Sequence, residues 1–266
     1  MGKNKLRKFD ELSHIDFVFQ YPFARLRDEG FPLRGRWSEH FGNDRPIVLE
    51  LGCGKGEYTV GLARRDPSRN FIGIDIKGAR MHSGATAAQR EGLPNVAFIR
   101  TSIELLEHFF APGEVAEIWV TFPDPQMQKA NKRLTGTRFC SMYRRVAAHG
   151  CRLRLKTDSP FLYAYTSRMA ALNALPVAAS TGDLYAPSCT VGAGEPWREI
   201  RTHYEQQWLD RGLTIKYLEF GLDGAAALAE PAVDDIPLDT YRSYSRGYIQ
   251  MPQLLEEEKK TPTDPE

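Results

Sequence analysis

The chain has 266 residues, a length that allows one or two domains and fits a single large α/β domain equally well. Hydrophobic residues make up 42% of it and aromatic residues 11%, enough for a sizeable core, so a wholly disordered chain is excluded. The 35 Lys and Arg residues against 34 Asp and Glu give a net charge of +1, so no general positive field surrounds the molecule to attract nucleic acid.

Two further classes of protein are excluded by pattern. No run approaches the roughly 18 uninterrupted apolar residues that a membrane helix needs, and no apolar signal core follows the first eight residues. The cysteines are scattered without a C-x-x-C pair, which favours reduced thiols over a disulfide or zinc framework; they are Cys53, Cys140, Cys151 and Cys189. We therefore expect a cytoplasmic protein with no membrane anchor and no metal.

Residues 1–40 form a basic and aromatic N-terminal arm. Four basic residues precede the first acid, Asp10, and the stretch 17–23 is rich in aromatic rings. Two interpretations remain open: an arm packed on the domain, or an extension that contacts RNA. Residues 41–250 are expected to form a single domain, and the charged, proline-containing residues 251–266 to be disordered.

From about residue 46, short apolar runs alternate with longer helical stretches, a pattern typical of a parallel sheet covered on both faces. The pattern predicts helices over 57–66 and 77–91, a third along the stripe 139–146, and a fourth that Asp158-Ser159-Pro160 opens. The predicted strands are 46–51, 70–75, 96–99, 115–121, 151–157, 199–206 and 213–220. The expected architecture is an α/β fold with a seven-stranded, mostly parallel sheet.

A glycine cluster follows the first of these strands. Gly52, Gly54 and Gly56 separate that strand from a helix, an arrangement that lets a cofactor approach the backbone closely. The dinucleotide fingerprint would need a further glycine where Glu57 stands, so an NAD site is disfavoured. Two acids, Glu50 and Asp75, lie at the ends of the first two strands, where they suit the ribose and the cationic part of S-adenosyl-L-methionine (SAM). The pattern therefore favours a SAM site.

The fourth strand ends in Phe122-Pro123-Asp124-Pro125. The sequences that commonly accompany amine methylation or cytosine C5 methylation are missing, since Gln126 follows Pro125 and the chain has no Pro-Cys dipeptide. The acceptor is then expected to be a group that is already nucleophilic, such as N7 of guanine, with Asp124 stabilising the cation that forms. The alternative is that Asp124 only fixes the loop between two prolines.

The near-zero net charge is a sum of opposed segments. Residues 221–240 contain five acids and no Lys or Arg, whereas residues 125–157 contain nine basic residues and no acid. A basic surface beside the reaction centre would suit the phosphates of a nucleic acid. The alternative for part of this set is an ordinary solvated helix face. The nine are Lys129, Lys132, Arg133, Arg138, Arg144, Arg145, Arg152, Arg154 and Lys156.

Six motifs in this order resemble the bacterial, single-chain tRNA (guanine-N7-)-methyltransferases over about residues 46–220. They are 49–56 (LELGCGKG), 73–75 (GID), 121–125 (TFPDP), 131–134 (NKRL), 155–158 (LKTD) and 202–205 (THYE). The resemblance implies a Rossmann-like class I SAM-dependent methyltransferase that modifies guanine 46 in the variable loop of tRNA.

The resemblance also implies roles for individual residues. It gives a cofactor role to Glu50, Asp75 and the glycines, and a catalytic and cofactor-contacting role to Asp124. Substrate binding falls on Lys132, Arg133, Asp158, Thr202, His203, Tyr204 and Glu205. From the residues alone, Asp158 could instead cap the helix at Pro160, and the run 202–205 could be the end of a strand.

The chain departs from the family pattern at two places. The family commonly has Trp-Pro-Lys after Asp124-Pro125, whereas this chain has Gln126-Met127-Gln128, so the neighbouring Lys129 is the candidate replacement for the substrate lysine. Ser102 stands where the family usually has an acid beside the adenine. Two alternatives remain: a SAM-dependent enzyme with another acceptor, and an RNA-binding relative without activity.

Overall fold

The computed structural model describes residues 3–224 and 226–241, with side chains from residue 7 onward. Within these residues eight strands form one sheet: β1 Val18–Phe19, β2 Ile47–Leu51, β3 Asn70–Asp75, β4 Val96–Arg100, β5 Val115–Thr121, β6 Ala147–Thr157, β7 Val177–Thr181 and β8 Lys216–Gly221. The helices are α1 Lys3–Ser13, α2 Phe23–Glu29, α3 Trp37–Phe41, α4 Glu57–Arg65, α5 Gly78–Glu91, α6 Leu106–Phe109, α7 Thr137–Arg144, α8 Pro160–Leu172 and α9 His203–Leu209.

The strand order is β1-β4-β3-β2-β5-β6-β8-β7. All pairs from β1 to β6 are parallel, and β8 runs antiparallel to both of its neighbours. The sheet is thus mostly parallel, as predicted. On one side of β2 the chain continues through β3 to β4, and on the other side through β5 to β6. In open α/β sheets, ligands bind beyond the carboxyl ends of the strands at such a switch point.

The central strands are buried on both faces because helices cover both sides of the sheet. All five residues of β2 are buried, and they alternate between two apolar clusters: Leu49 and Leu51 pack into one, Val48 into the other. A strand that is buried on both faces reads as a continuous apolar run, which is why β2 to β5 could be predicted from the sequence.

The seven-strand prediction is wrong by one, because the N-terminal arm supplies a strand. In β1, Val18 pairs with Phe98 and Phe19 with Ile99, both in β4. Two residues are too few to give an alternating pattern, so the sequence contained no signal for this strand. Its aromatic ring Phe19 packs edge-on against Trp37 at a centroid distance of 5.4 Å.

The predicted strand at 199–206 is also wrong. Residues Pro196–Glu199 form a 3-10 turn and α9 begins directly after Thr202. The missing strand is β7, which pairs with β8 at the edge of the sheet. Its side chains are mostly exposed, so it lacks the apolar signal of the buried strands. The six other predicted strands and the four predicted helices are confirmed within a few residues at their ends.

Residues 222–224 and 226–241 run back across α7 and α8 as an irregular segment. The end of the domain predicted to reach residue 250 and the tail predicted for 251–266 lie outside the described residues. No described helix is both long enough and apolar enough to cross a bilayer.

Candidate active site

The loop between β2 and α4 is built on three glycines in the left-handed region. Gly52, Gly54 and Gly56 have φ values of 77°, 55° and 71°, which L side chains rarely adopt. The amides of Gly52 and Cys53 both donate to the carbonyl of Ile74, at 2.8 and 3.0 Å. The loop is therefore held against the end of β3 by the backbone itself.

The two sides of this loop differ. A Cβ on Gly56 would lie 2.8 Å from the Phe98 ring, so the inner side is closed. A Cβ on Gly52 or Gly54 would have no atom of another element nearer than 3.9 Å, so the outer side is open. The sequence reading missed Gly84 of α5, where a Cβ would lie 2.7 Å from the carbonyl oxygen of Lys55. A glycine in the middle of a helix is the signal that could have revealed this close approach.

Glu50 lies inside the protein at the end of β2, with 3% of its surface exposed. Its Oε2 accepts the amide of Thr59 at 2.8 Å and the hydroxyl of the same residue, and its Oε1 accepts the Thr121 hydroxyl at 2.7 Å. Burial raises the pKa of the Glu50 carboxyl to about 7, against the lowering effect of these hydrogen bonds. Glu50 thus joins β2 to α4 and β5 directly beneath the glycine loop.

Asp75 ends the neighbouring strand β3 and is half-buried. Its Oδ2 accepts the amide of Gly54 at 2.9 Å and its Oδ1 accepts the amide of Lys77 at 2.7 Å. A carboxylate offers about four lone-pair sites, so each oxygen of Asp75 can accept one more hydrogen bond. Ser102 follows the next strand, β4, and its hydroxyl lies 3.5 Å from Oε2 of Glu104.

These residues fit SAM. The open outer side of Gly52 and Gly54 leaves room for the methionine part of SAM. A side chain at either position would fill that room. Asp75 presents oxygens suited to the ribose hydroxyls, and Ser102 offers a hydroxyl one strand further along. Among the described residues, no three His, Cys, Asp or Glu side chains are grouped so that they could hold a metal ion.

Asp124 lies on a strained loop after β5, the strand beside β2. Phe122 and Gln126 have φ values of 49° and 48°, a region that non-glycine residues enter at a cost of about 1–3 kcal/mol each. Pro123 and Pro125 are buried while Asp124 is exposed, and its Oδ1 accepts the amide of Gln126 at 3.0 Å. Such strain is typical of functional loops, and here it directs a carboxylate outward.

Asp158 is fully buried after β6. Its Oδ2 accepts the hydroxyl of Tyr241 at 2.6 Å. The helix α8 is capped by the next residue, Ser159, whose hydroxyl accepts the amide of Leu162 at 2.9 Å. The alternative that Asp158 caps this helix through its side chain is therefore wrong. Tyr241 belongs to the C-terminal segment, and sequence reasoning had no signal for its contact with Asp158.

Residues 202–205 form the start of α9, and the alternative of a strand end is wrong. Thr202 and Glu205 form a capping box, with the amide of Glu205 donating to the Thr202 hydroxyl at 3.1 Å. Glu205 is fully buried and pairs with Lys156 at 2.8 Å. The spacing Thr-x-x-Glu is the signal that would have predicted this helix start.

The two middle residues of this run face outward. His203 and Tyr204 are exposed, and the Tyr204 ring lies 6.1 Å from that of Phe122 in the Asp124 loop. The amide of His203 donates to Oε2 of Glu57 in α4 at 3.1 Å. The start of α9 therefore touches both the Asp124 loop and the helix that follows the glycine loop, so the structure brings these predicted residues together.

The basic run 125–157 does not form the expected open basic surface, because most of its charges are paired. Arg133 is 2% exposed, with its guanidinium 4.3 Å from the Tyr165 ring centroid and its Nη1 3.6 Å from Oε1 of Glu230. Six others form ion pairs: Lys132 and Arg138 with Glu104, Arg145 with Glu107, Arg152 with Glu219, Arg154 with Glu117 and Glu219, and Lys156 with Glu205.

The other two basic residues of the run 125–157 are Arg144 and Lys129. Arg144 donates to the backbone carbonyls of Leu222 and Ala226. Lys129 is exposed, and within the described part of the chain its side chain forms no ion pair. The acids that neutralise the run come from other elements, which a count along the sequence cannot reveal.

Comparison with solved structures defines the class of protein. The chain shares its fold with the 16S rRNA methyltransferase KamB, at a TM-score of 0.53 and 16% identity over 71% of this chain and 94% of that one. An antibiotic-related methyltransferase matches at a TM-score of 0.52 and 16% identity over 70% and 92%. The chain therefore has the Rossmann-like class I methyltransferase fold.

Sequence comparison identifies the family. The family described as "Putative methyltransferase" matches residues 44–218. A tRNA (guanine-N(7)-)-methyltransferase of Porphyromonas gingivalis is 61% identical over 234 residues, which cover 86% of this chain and 94% of the relative. Those of Bacteroides thetaiotaomicron and Listeria welshimeri are 53% and 32% identical, over 93% and 76% of this chain and 96% of each relative. The chain belongs to the tRNA (guanine-N(7)-)-methyltransferase family.

Proposed function

We propose that this protein transfers a methyl group from SAM to N7 of a guanine in tRNA, at position 46 of the variable loop, in the cytoplasm. One observation supports the chemistry most directly: the exposed Asp124 carboxylate stands on a strained loop beyond β5, the strand that pairs with β2 and its glycine loop. The family membership supports the choice of tRNA as substrate.

The reaction requires little acid–base catalysis by the protein. When bound, SAM supplies a methyl group on a positively charged sulfonium. Guanine N7 has an in-plane lone pair and carries no proton, so no general base is needed. The Asp124 carboxylate accepts hydrogen bonds from the N–H groups of the guanine and stabilises the positive charge that methylation leaves on the ring. Asp124 is thus a residue for orientation and charge stabilisation.

The remaining roles follow from position. Glu50 and Asp75 hold the glycine loop, and Asp75 accepts the ribose hydroxyls while Ser102 lies toward the adenine. His203 and Tyr204 present their exposed side chains to the substrate beside Phe122. Thr202, Glu205 and Arg133 are buried, so they act by holding these segments in place. Asp158 is fully buried and accepts the Tyr241 hydroxyl, so it contacts the guanine only after a rearrangement that uncovers it.

The test is to incubate the protein with SAM and unmodified tRNA and to identify the methylated nucleoside and its position by mass spectrometry. We expect 7-methylguanosine in the variable loop. Folded protein that binds SAM and tRNA but forms no 7-methylguanosine would contradict the proposal.

The Asp124→Ala variant tests the catalytic assignment. We expect kcat to fall by about 10²- to 10³-fold, the usual effect of removing one electrostatic stabiliser. Thermal stability should fall only slightly, because the side chain is exposed and its hydrogen bond with the Gln126 amide is local to the loop. Asp44→Ala, another exposed aspartate, is the matched control and should retain full turnover. Normal turnover in Asp124→Ala would leave Asp124 with only its turn-forming hydrogen bond to Gln126.

A further inference from the structure

The N-terminal arm reaches the end of the sheet where the proposed SAM site lies. Its strand β1 pairs with β4, and its helix α1 packs on α5, which begins three residues after Asp75. The sequence motifs of the family assign no role to this arm. The inference below concerns its effect on the cofactor site, and it rests on the proposed function.

The N-terminal arm contacts the side chain of Arg100, at the end of β4, through two of its residues. The guanidinium of Arg100 stacks 4.3 Å from the ring centroid of Phe9 in α1, and its Nη1 donates to Oε1 of Gln20 at 3.0 Å. Gly78 makes room for the stack: a Cβ there would lie 2.8 Å from Cδ of Arg100 and 2.9 Å from the Phe9 ring. Three separate features of the chain therefore fix this guanidinium.

Arg100 is the direct neighbour of Asp75 in the sheet. The two residues are register partners in the parallel pair of β3 and β4, and directly paired residues of neighbouring strands project from the same face. A guanidinium and a carboxylate that come within reach of each other commonly pair through two parallel hydrogen bonds. Yet the Asp75 carboxylate accepts only the amides of Gly54 and Lys77, and it makes no ion pair within the described residues.

We propose that Phe9 and Gln20 are positioning residues for the cofactor: they hold the Arg100 guanidinium away from Asp75 and so keep the carboxylate oxygens available to the ribose hydroxyls. Without these two contacts Arg100 turns to Asp75 and competes with the ribose. The arm thereby becomes a determinant of cofactor affinity although it makes no contact with the reacting atoms.

The experiment measures SAM binding to the full chain by calorimetry. In the Phe9→Ala/Gln20→Ala variant we expect the Kd for SAM to rise about fivefold, the size of one partly exposed ion pair in competition with the ligand. Adding Arg100→Met to that variant removes the competitor and should restore the wild-type Kd. Arg100→Met alone should bind SAM normally, and thermal unfolding verifies that each variant is folded.

The rescue separates positioning from a merely structural role. An unchanged Kd in the Phe9→Ala/Gln20→Ala variant would overturn the inference. A raised Kd that Arg100→Met fails to restore would also overturn it, because the arm would then act by contact with SAM or by supporting the fold. Wild-type protein that bound no SAM would overturn the proposed function itself, a result distinct from both.

Discussion

At the residue scale, Glu50 shows how a buried carboxyl can fix the glycine loop from inside the protein. The carboxyl is buried, and both oxygens accept hydrogen bonds from side chains or backbone of other elements, Thr59 in α4 and Thr121 in β5. Burial disfavours the charged form more than these bonds favour it, so the pKa of Glu50 rises to about 7. The protein thus holds a carboxyl that changes charge near neutral pH beneath its glycine loop.

Replacing Glu50 with Gln should change how stability depends on pH. Because the pKa of Glu50 is raised from 4.5 to about 7 on folding, the folded state binds the proton more tightly, and its stability falls as the pH rises between those values. We expect wild-type protein to lose about 3 kcal/mol more unfolding free energy than Glu50→Gln between pH 4.5 and 7.5. Urea unfolding at several pH values measures this. Parallel curves for the two proteins would show that the pKa of Glu50 is not raised.

At the element scale, one buried ion pair positions the helix α9 against the sheet. Lys156 is at the end of β6, and its backbone carbonyl accepts the amide of Phe122, the first residue of the Asp124 loop, at 2.8 Å. Its ammonium pairs with Glu205, which also accepts the Tyr185 hydroxyl at 2.5 Å. Burial lowers the pKa of Lys156 while Glu205 opposes the change. Lys156 therefore connects both the Asp124 loop and α9 to one strand.

The Glu205→Gln variant should be strongly destabilised. It leaves the Lys156 ammonium buried without its partner, which costs about 3–5 kcal/mol of unfolding free energy. The double variant Glu205→Gln/Lys156→Met removes the orphaned charge and should recover most of that loss. Urea unfolding at neutral pH compares the three proteins. A loss below about 1 kcal/mol in the single variant would mean that Lys156 simply becomes neutral or reaches water.

At the scale of the whole molecule, the charges are arranged in pairs between distant segments. The basic run 125–157 is neutralised by acids of α6, β5, β8 and α9 and by the 3-10 turn before α6. The acids of residues 221–240 are used in the same way, with Asp235 paired to Arg168 and Glu230 to Arg133. The net charge of +1 thus reflects mutual neutralisation more than opposed surface patches.

Lys129 should therefore contribute more to tRNA binding than its paired neighbours. We expect Lys129→Ala to weaken tRNA binding and to reduce the slope of log K against log salt by about one, the value for one lost phosphate contact. Arg145→Ala is the control, since that guanidinium already pairs with Glu107. Binding measured by fluorescence anisotropy at several salt concentrations separates them. Equal slopes for both variants would show that the ion pairs open when tRNA binds.

The sequence by itself determined the buried part of the fold and indicated the residues that we propose for the cofactor site. Strands β2 to β6 were predictable because apolar periodicity is a local property that burial on both faces makes strong. Gly52, Gly54 and Gly56 and the acids at the ends of β2 and β3 were recognisable because their spacing along the chain is itself the signal. The family motifs added Asp124 and the run 202–205.

Only the tertiary structure decided which charges are paired and where the N-terminal arm packs. Lys156 and Glu205 are 49 residues apart, and Arg100 is 80 residues from Gln20, so no local pattern relates them. The same holds for β1, which is too short to have a periodicity, and for Tyr241 at Asp158. The partner of a charged side chain depends on which elements pack together, and that is a property of the folded chain alone.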